Sequence, residues 1–62
     1  MEQIEKLANK IFREEKEKHA TSYQILTAIA QRLFNEYGVR EVETDRRFIY
    51  VSNVKVFDIK AV

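Results

Sequence analysis

The sequence predicts an α+β fold in which two N-terminal helices precede a three-stranded antiparallel β-meander, in the order α-α-β-β-β. Three observations predict it. Apolar residues recur at helical spacing in the first part of the chain. Helix-boundary residues, Thr21 with Gln24 and then Gly38, delimit a second helix. From Val39 onward, the periodicity changes to two, which is typical of β-strands.

The first helix is predicted from residue 2 to about residue 18. Its apolar positions share one helical face and are Ile4, Leu7, Ala8, Ile11 and Phe12. Glutamates lie near its first turn and lysines near its last turn, and both placements favour the helix dipole. Residues 13–19 include no apolar side chain, so we expect the last turns to project into water.

The second helix is predicted between Thr21 and Gly38. Thr21 acts as the N-cap, Gln24 completes a capping box, and Gly38 supplies a residue that adopts the left-handed conformation readily. The apolar arc of this helix is broad and consists of Tyr23, Leu26, Ile29, Ala30, Leu33, Phe34 and Tyr37. An arc wider than one stripe indicates a central helix that packs on more than one neighbour.

Three strands are predicted at residues 39–44, 47–51 and 54–59, with turns at residues 45–46 and 52–53. A two-residue hairpin loop at residues 52–53 sets the register of the last two strands. The expected pairs are Val51 with Val54, Ile49 with Val56, Phe48 with Phe57, and Arg47 with Asp58. The last pair is placed for a cross-strand ion pair.

This register leaves apolar side chains on both faces of the sheet. One face is expected to present Val42, Ile49, Val51, Val54 and Val56. The other is expected to present Val39, Phe48, Tyr50, Phe57 and Ile59. Because two short helices can cover only one face, we expect them to pack on the aliphatic face. The aromatic face then needs a partner.

Composition is consistent with one small domain spanning residues 1–62 and narrows the class of protein. A chain of 62 residues buries a marginal core, and with no Cys and one His it has neither disulfides nor a structural zinc site to reinforce that core. Oligomerisation is the remaining way of stabilising so small a core. The net charge of +1 gives no basic arm or acidic tail. We expect a cytoplasmic protein with no membrane partner, because the N-terminus has no signal-like apolar run and no segment is long and apolar enough to span a bilayer.

Catalytic chemistry is poorly represented in the chain. Glu15 and His19 have i, i+4 spacing, but two ligands on an exposed helix end make a weak metal site. Glu41 and Glu43 share one side of a strand, where they more simply keep a sheet edge soluble. Gly38 is the only glycine, so no glycine-rich phosphate loop exists. We expect no enzymatic activity, no cofactor and no metal.

Our first hypothesis is a small non-enzymatic protein-protein interaction or regulatory protein, acting as a homodimer that also binds another protein. The expected interface residues are Val39, Phe48, Tyr50, Phe57 and Ile59. The alternative is a single-stranded nucleic-acid-binding module in which bases stack on Phe48, Tyr50 and Phe57, flanked by Arg46 and Lys55. We rank the alternative second because nearby carboxylates offset the basic charge that phosphate binding requires.

Overall fold

The computed structural model describes residues 2–61 and contains two helices followed by three strands. The elements are α1 (Glu2–Glu17), α2 (Ser22–Tyr37), β1 (Val42–Thr44), β2 (Phe48–Val51) and β3 (Val54–Asp58). The strands form one antiparallel sheet in the order β1-β2-β3, which confirms the predicted α-α-β-β-β fold. Neither helix in this described part of the chain has the length and apolar character needed to cross a membrane.

Both ends of α2 are formed by the residues that predicted them. The Thr21 hydroxyl accepts a hydrogen bond from the Gln24 backbone N–H at 3.2 Å, and the Thr21 N–H donates to Gln24 Oε1 at 3.0 Å. At the other end Gly38 has φ 63° and donates its N–H to the Phe34 carbonyl at 3.0 Å. These bonds satisfy backbone groups that a helix end otherwise leaves unpaired.

The end of α1 is a Schellman motif built without glycine. The Ala20 N–H donates to the Glu15 carbonyl at 3.1 Å, and the His19 N–H donates to the Lys16 carbonyl at 3.0 Å. This closure holds His19 at φ 61°, in the left-handed region that glycine adopts at lower cost. The regular helix therefore ends at Glu17, one residue before the predicted end.

The helices pack side by side on one face of the sheet, with α1 against β3 and α2 against β1 and β2. Every residue of the buried core is apolar. The core consists of Ala8, Ile11, Ile25, Leu26, Ile29, Leu33, Ile49, Val51, Val56 and Phe57. It contains side chains from both helices and the last two strands, so each of these elements depends on the others for burial.

The hairpin between β2 and β3 has the predicted two-residue loop. Ser52 and Asn53 have φ 51° and 68°, the left-handed values that a type I′ turn requires, and Val51 pairs with Val54. The turn between β1 and β2 lies one residue later than predicted. Asp45 pairs with Phe48 through the Asp45 N–H and the Phe48 carbonyl, so residues 46–47 form the loop.

The register beyond the hairpin loop differs from the prediction because β3 contains a β-bulge. Tyr50 pairs with Lys55 but Ile49 pairs with Phe57, so Val56 is an extra residue in β3. The predicted pairing of Ile49 with Val56, and those of residues 48 with 57 and 47 with 58, are wrong by one position. A bulge changes which face each later side chain occupies, and here it turns both Val56 and Phe57 toward the helices.

Phe57 is the main correction to the predicted faces. It is 5% exposed, and its ring lies 5.9 Å from the Phe12 ring of α1, at an interplanar angle of 50°. Val54 also departs from the prediction, since it lies at the end of the sheet and is 49% exposed. In addition, β1 begins at Val42 instead of residue 39. The aromatic face is therefore smaller than the sequence predicted.

Candidate interaction site

The sheet face away from the helices, here called the outer face, presents two aromatic rings from β2. Phe48 and Tyr50 alternate with the buried Ile49 and Val51 and so point to the opposite side. Both are half-buried, and their ring centroids are 6.0 Å apart. The structure thus brings together two of the five predicted interface residues.

The other three predicted interface residues lie on the helix-covered side. Val39 and Ile59 are partly buried and pack against the core, and Phe57 belongs to it. Val39 lies before β1 begins and Ile59 follows the end of β3, so neither keeps the strand alternation assumed for it. The bulge accounts for Phe57.

Two cations cover the Phe48 ring. The Lys55 Nζ lies 4.6 Å and the Arg47 guanidinium carbon 4.8 Å from the ring centroid, both within cation–π range. Arg46, which the sequence placed beside the rings, instead lines a cavity with Tyr23 of α2. Its place at the rings is occupied by Arg47, because the turn is displaced by one residue.

Arg47 is fixed by a bidentate ion pair with Asp58, although the two residues are not directly opposite in the register. The Arg47 Nε donates to Asp58 Oδ1 at 2.8 Å, and Nη2 donates to Oδ2 at 2.9 Å. These bonds lower the pKa of Asp58 below its ordinary value and raise that of Arg47. The planar fork is therefore held in a defined position on the outer face.

The first turn of the sheet is held by a second carboxylate. Asp45 Oδ1 accepts hydrogen bonds from the backbone N–H groups of Phe48 at 2.7 Å and Arg47 at 2.8 Å. These two donors, with Phe48 the larger contributor, lower the pKa of Asp45. The carboxylate thus fixes the point at which Phe48 enters β2.

One row of side chains crosses the outer face with opposite charges at its two ends. Glu43 of β1 pairs with Tyr50 of β2, and Tyr50 pairs with Lys55 of β3. Glu41 lies two residues before Glu43 on the same side of the chain. This row is therefore acidic at its β1 end and basic at its β3 end, whereas in the neighbouring row the β3 residue opposite Phe48 is Asp58, which is paired with Arg47.

A second apolar surface lies on α2, and the sequence did not identify it as a site. Tyr23, Phe34 and Tyr37 are 78%, 55% and 44% exposed. With Thr27 and Ala30 they recur at alternating spacings of four and three residues, so the five side chains form one line along the helix, here called the α2 stripe. The sequence did contain a signal for this surface, because the predicted apolar arc of α2 is broader than one stripe.

The α2 stripe borders β1, and two cavities open between them. One, of about 480 Å³, is lined by residues that include Tyr23, Thr27 and Thr44. The other, of about 520 Å³, is lined by residues that include Phe34 and Val42. Both lie between α2 and β1 and are here together called the α2–β1 groove; the first has a mainly apolar lining that includes Arg46, and the second has a mixed lining that includes Gln31, Asn35 and Arg40.

The Glu15–His19 pair considered as a metal site from the sequence does not belong to a larger cluster of ligands in the described residues. Within residues 2–61 no three His, Asp or Glu side chains lie close enough together to hold a metal ion. Glu15, half of the metal pair considered from the sequence, forms an ion pair with Lys18 at 3.2 Å. The surfaces that stand out are the outer face and the α2–β1 groove.

Comparisons with protein-family models, with curated proteins and with solved structures find no match for this chain. Its function has to be inferred from its own surfaces.

Proposed function

We propose that this is a small non-enzymatic protein-protein interaction or regulatory protein that acts as a homodimer, with the outer faces of two sheets packed together. The row formed by Glu43, Tyr50 and Lys55 carries the proposal. A row that is acidic at one end, aromatic in the middle and basic at the other is complementary to a second copy of itself. Two-fold symmetric interfaces require such self-complementarity.

The two-fold axis of this dimer runs parallel to β2, between the two sheets. Rotation about that axis places β1 of each copy over β3 of the other. Glu43 then faces Lys55 of the second copy, and the contact occurs twice. Sheets packed face to face are separated by about 10 Å, a distance that a glutamate and a lysine reaching toward each other can span.

The aromatic centre supplies the apolar part of this interface. Phe48 and Tyr50 lie on the axis and meet their own copies. Burying an aromatic side chain contributes on the order of 2 kcal/mol, but the sheet has only three short strands. An interface below the usual size for stable complexes gives weak association. We therefore place the dimerisation constant in the micromolar range.

The regulatory part of the proposal concerns a second partner. The dimer uses the outer face and leaves the exposed rings of the α2 stripe free. The α2 stripe carries no charged side chain, so its contact with a second partner would be mainly apolar. The lack of Cys fits a cytoplasmic location, where thiols stay reduced and disulfides are rare.

The dimer is tested by matched tyrosine substitutions. Tyr50→Glu places a charge at the centre of the interface, and Tyr23→Glu places the same charge on the exposed α2 stripe. Light scattering at concentrations well above the micromolar dimerisation constant should give a dimer mass for the unmodified protein and Tyr23→Glu, and a monomer mass for Tyr50→Glu. Circular dichroism should show all three folded. A monomer mass for the unmodified protein contradicts the proposal.

Single-stranded nucleic-acid binding is the second candidate, favoured by the adjacent rings of Phe48 and Tyr50 with Lys55 and Arg47 beside them. Glu43 beside Tyr50 opposes phosphate, which is why we rank it second. On this alternative the unmodified protein binds an unstructured oligonucleotide more weakly as salt rises, and Tyr50→Ala costs about 1–3 kcal/mol of binding without changing the mass. Absence of salt-sensitive binding would remove this candidate.

A further inference from the structure

The outer edge of β1 carries unpaired backbone groups. Glu41 and Asp45 direct backbone groups to β2, since the Glu41 carbonyl accepts from Ser52 at 2.9 Å and the Asp45 N–H donates to Phe48 at 3.1 Å. Hydrogen-bonding direction alternates along an antiparallel strand. Val42 and Thr44 therefore direct their N–H and C=O groups away from the sheet. No other strand within residues 2–61 pairs with this edge.

The two sides of this edge differ in chemistry. On the helix side the α2–β1 groove provides two cavities, of about 480 and 520 Å³, bordered by exposed rings such as Tyr23 and Phe34. On the outer side stand Glu41 and Glu43, both exposed. A strand added to the edge would alternate between these sides, with one residue toward the groove and the next beside a carboxylate.

A second copy of β1 does not fit this edge. Two β1 strands paired about a two-fold axis and centred on Val42 place Glu41 opposite Glu43. A pair centred on Glu43 places that carboxylate opposite itself, and a pair centred on Thr44 places Glu43 opposite Asp45. Like charges directly opposite destabilise a sheet, so every such register is disfavoured. The charge pattern favours a basic partner.

We propose that the β1 edge and the α2–β1 groove bind an extended segment of another protein, in which Lys or Arg alternates with aliphatic residues. The segment adds a fourth strand beside β1. Its backbone pairs with Val42 and Thr44, its aliphatic side chains enter the groove, and its basic side chains lie beside Glu41 and Glu43. This is strand addition, in which backbone bonds supply affinity and alternate side chains supply specificity. The β1 edge and the groove lie outside the proposed dimer interface, and Glu43 is the one residue that both contacts use.

The test uses a short soluble peptide in which Lys alternates with Val, with a Glu-Val peptide of the same length as the control. Fluorescence anisotropy of the labelled peptides should show binding of the Lys-Val peptide and at least about tenfold weaker binding of the Glu-Val peptide. In NMR spectra of the labelled protein, the largest amide shifts should fall on Val42, Thr44 and the α2 stripe. The proposal is overturned if the two peptides bind equally, if neither binds at millimolar concentration, or if the shifts centre on Phe48 and Tyr50.

A matched pair of variants distinguishes backbone pairing at the β1 edge from non-specific electrostatic attraction. Thr44→Pro removes an outward N–H without removing a backbone bond to β2, and Thr44→Val keeps that N–H. Both variants lose the Thr44 hydroxyl, which donates to the Phe48 carbonyl at 3.4 Å, so that loss cancels in the comparison. We expect Thr44→Pro to weaken binding of the Lys-Val peptide about tenfold or more and Thr44→Val to leave it nearly unchanged. Equal affinities for the two variants would contradict strand addition.

A charge reversal covers the case in which Thr44→Pro fails to fold. Glu41→Lys lies on an exposed outer-side position, so it should fold normally. It leaves one ammonium and one carboxylate beside the edge and should therefore remove most of the preference for the Lys-Val peptide. An unchanged preference would contradict the proposal. So would a monomer mass for Phe34→Gln under conditions in which the unmodified protein is a dimer, because that result would assign the groove to a second copy of this chain.

Discussion

Replacing Phe57 by Leu tests the β-bulge, which is the feature that makes the observed pairing of β2 with β3 differ from the predicted pairing. The Phe57 side chain is 5% exposed and its ring lies 5.9 Å from that of Phe12. The substitution removes an aromatic pair contributing about 0.5–1.5 kcal/mol and leaves a small cavity. The free energy of unfolding should fall by about 2 kcal/mol, because the site is enclosed beneath α1 and cannot collapse fully. For a domain of this size, that lowers Tm by about 8–16 °C.

The control is the same substitution at Phe48, the ring that the sequence placed opposite Phe57. Phe48→Leu acts on a half-buried site on the outer face, so we expect a loss of less than about 1 kcal/mol. Urea unfolding followed by tyrosine fluorescence measures both, at submicromolar protein so that dimerisation does not contribute. If Phe48→Leu costs as much as Phe57→Leu, the bulge is misplaced and Phe57 does not belong to the core.

Two further predictions concern the helix ends and the outer-face ion pair. His19→Gly should raise the free energy of unfolding by about 0.5–1 kcal/mol, because glycine relieves the left-handed strain at φ 61°. Gly38→Ala should lower the free energy of unfolding by about 1 kcal/mol, because it introduces the same strain at Gly38. Thermal denaturation in which both variants shift Tm in the same direction would contradict this explanation. Arg47 lowers the pKa of Asp58 below its ordinary value of 3.8, so the stabilisation is present above about pH 4 and is lost as pH falls through the lower folded pKa. Asp58→Asn should therefore lower Tm near neutral pH, and its difference from the unmodified protein should shrink below about pH 4; a difference independent of pH would show that the ion pair does not stabilise the fold.

The fold class was predictable because its signals are local. Thr21 with Gln24 specifies the start of α2, Gly38 its end, and the Ser52-Asn53 pair the hairpin loop. Each depends on residues within one turn of the chain, where backbone conformation and side-chain hydrogen bonding decide the outcome. The sequence also predicted the Arg47–Asp58 ion pair. The pair forms despite the shifted register because the Arg47 side chain is long and flexible.

The candidate site was less predictable because it depends on one irregular residue. Val56 carries no mark of a bulge, since it is a β-branched residue in the middle of an apolar run. The bulge follows from packing, because it lets both Val56 and Phe57 reach the helices. The α2–β1 groove could not be predicted from the sequence for a similar reason. Its existence depends on where α2 crosses the sheet, which spacing along the helix does not specify.

The central claim, that two outer faces pack with Glu43 of each copy on Lys55 of the other, is tested most directly by a charge-exchange experiment. Glu43→Lys gives a chain with two cations in the row, and Lys55→Glu gives a chain with two anions. Each variant alone should sediment as a monomer, because its own dimer would bring like charges together twice. An equimolar mixture restores both opposite-charge contacts, and sedimentation velocity should then show a dimer. Separate variants that remain dimeric, or a mixture that stays monomeric while the unmodified protein dimerises, would contradict the claim.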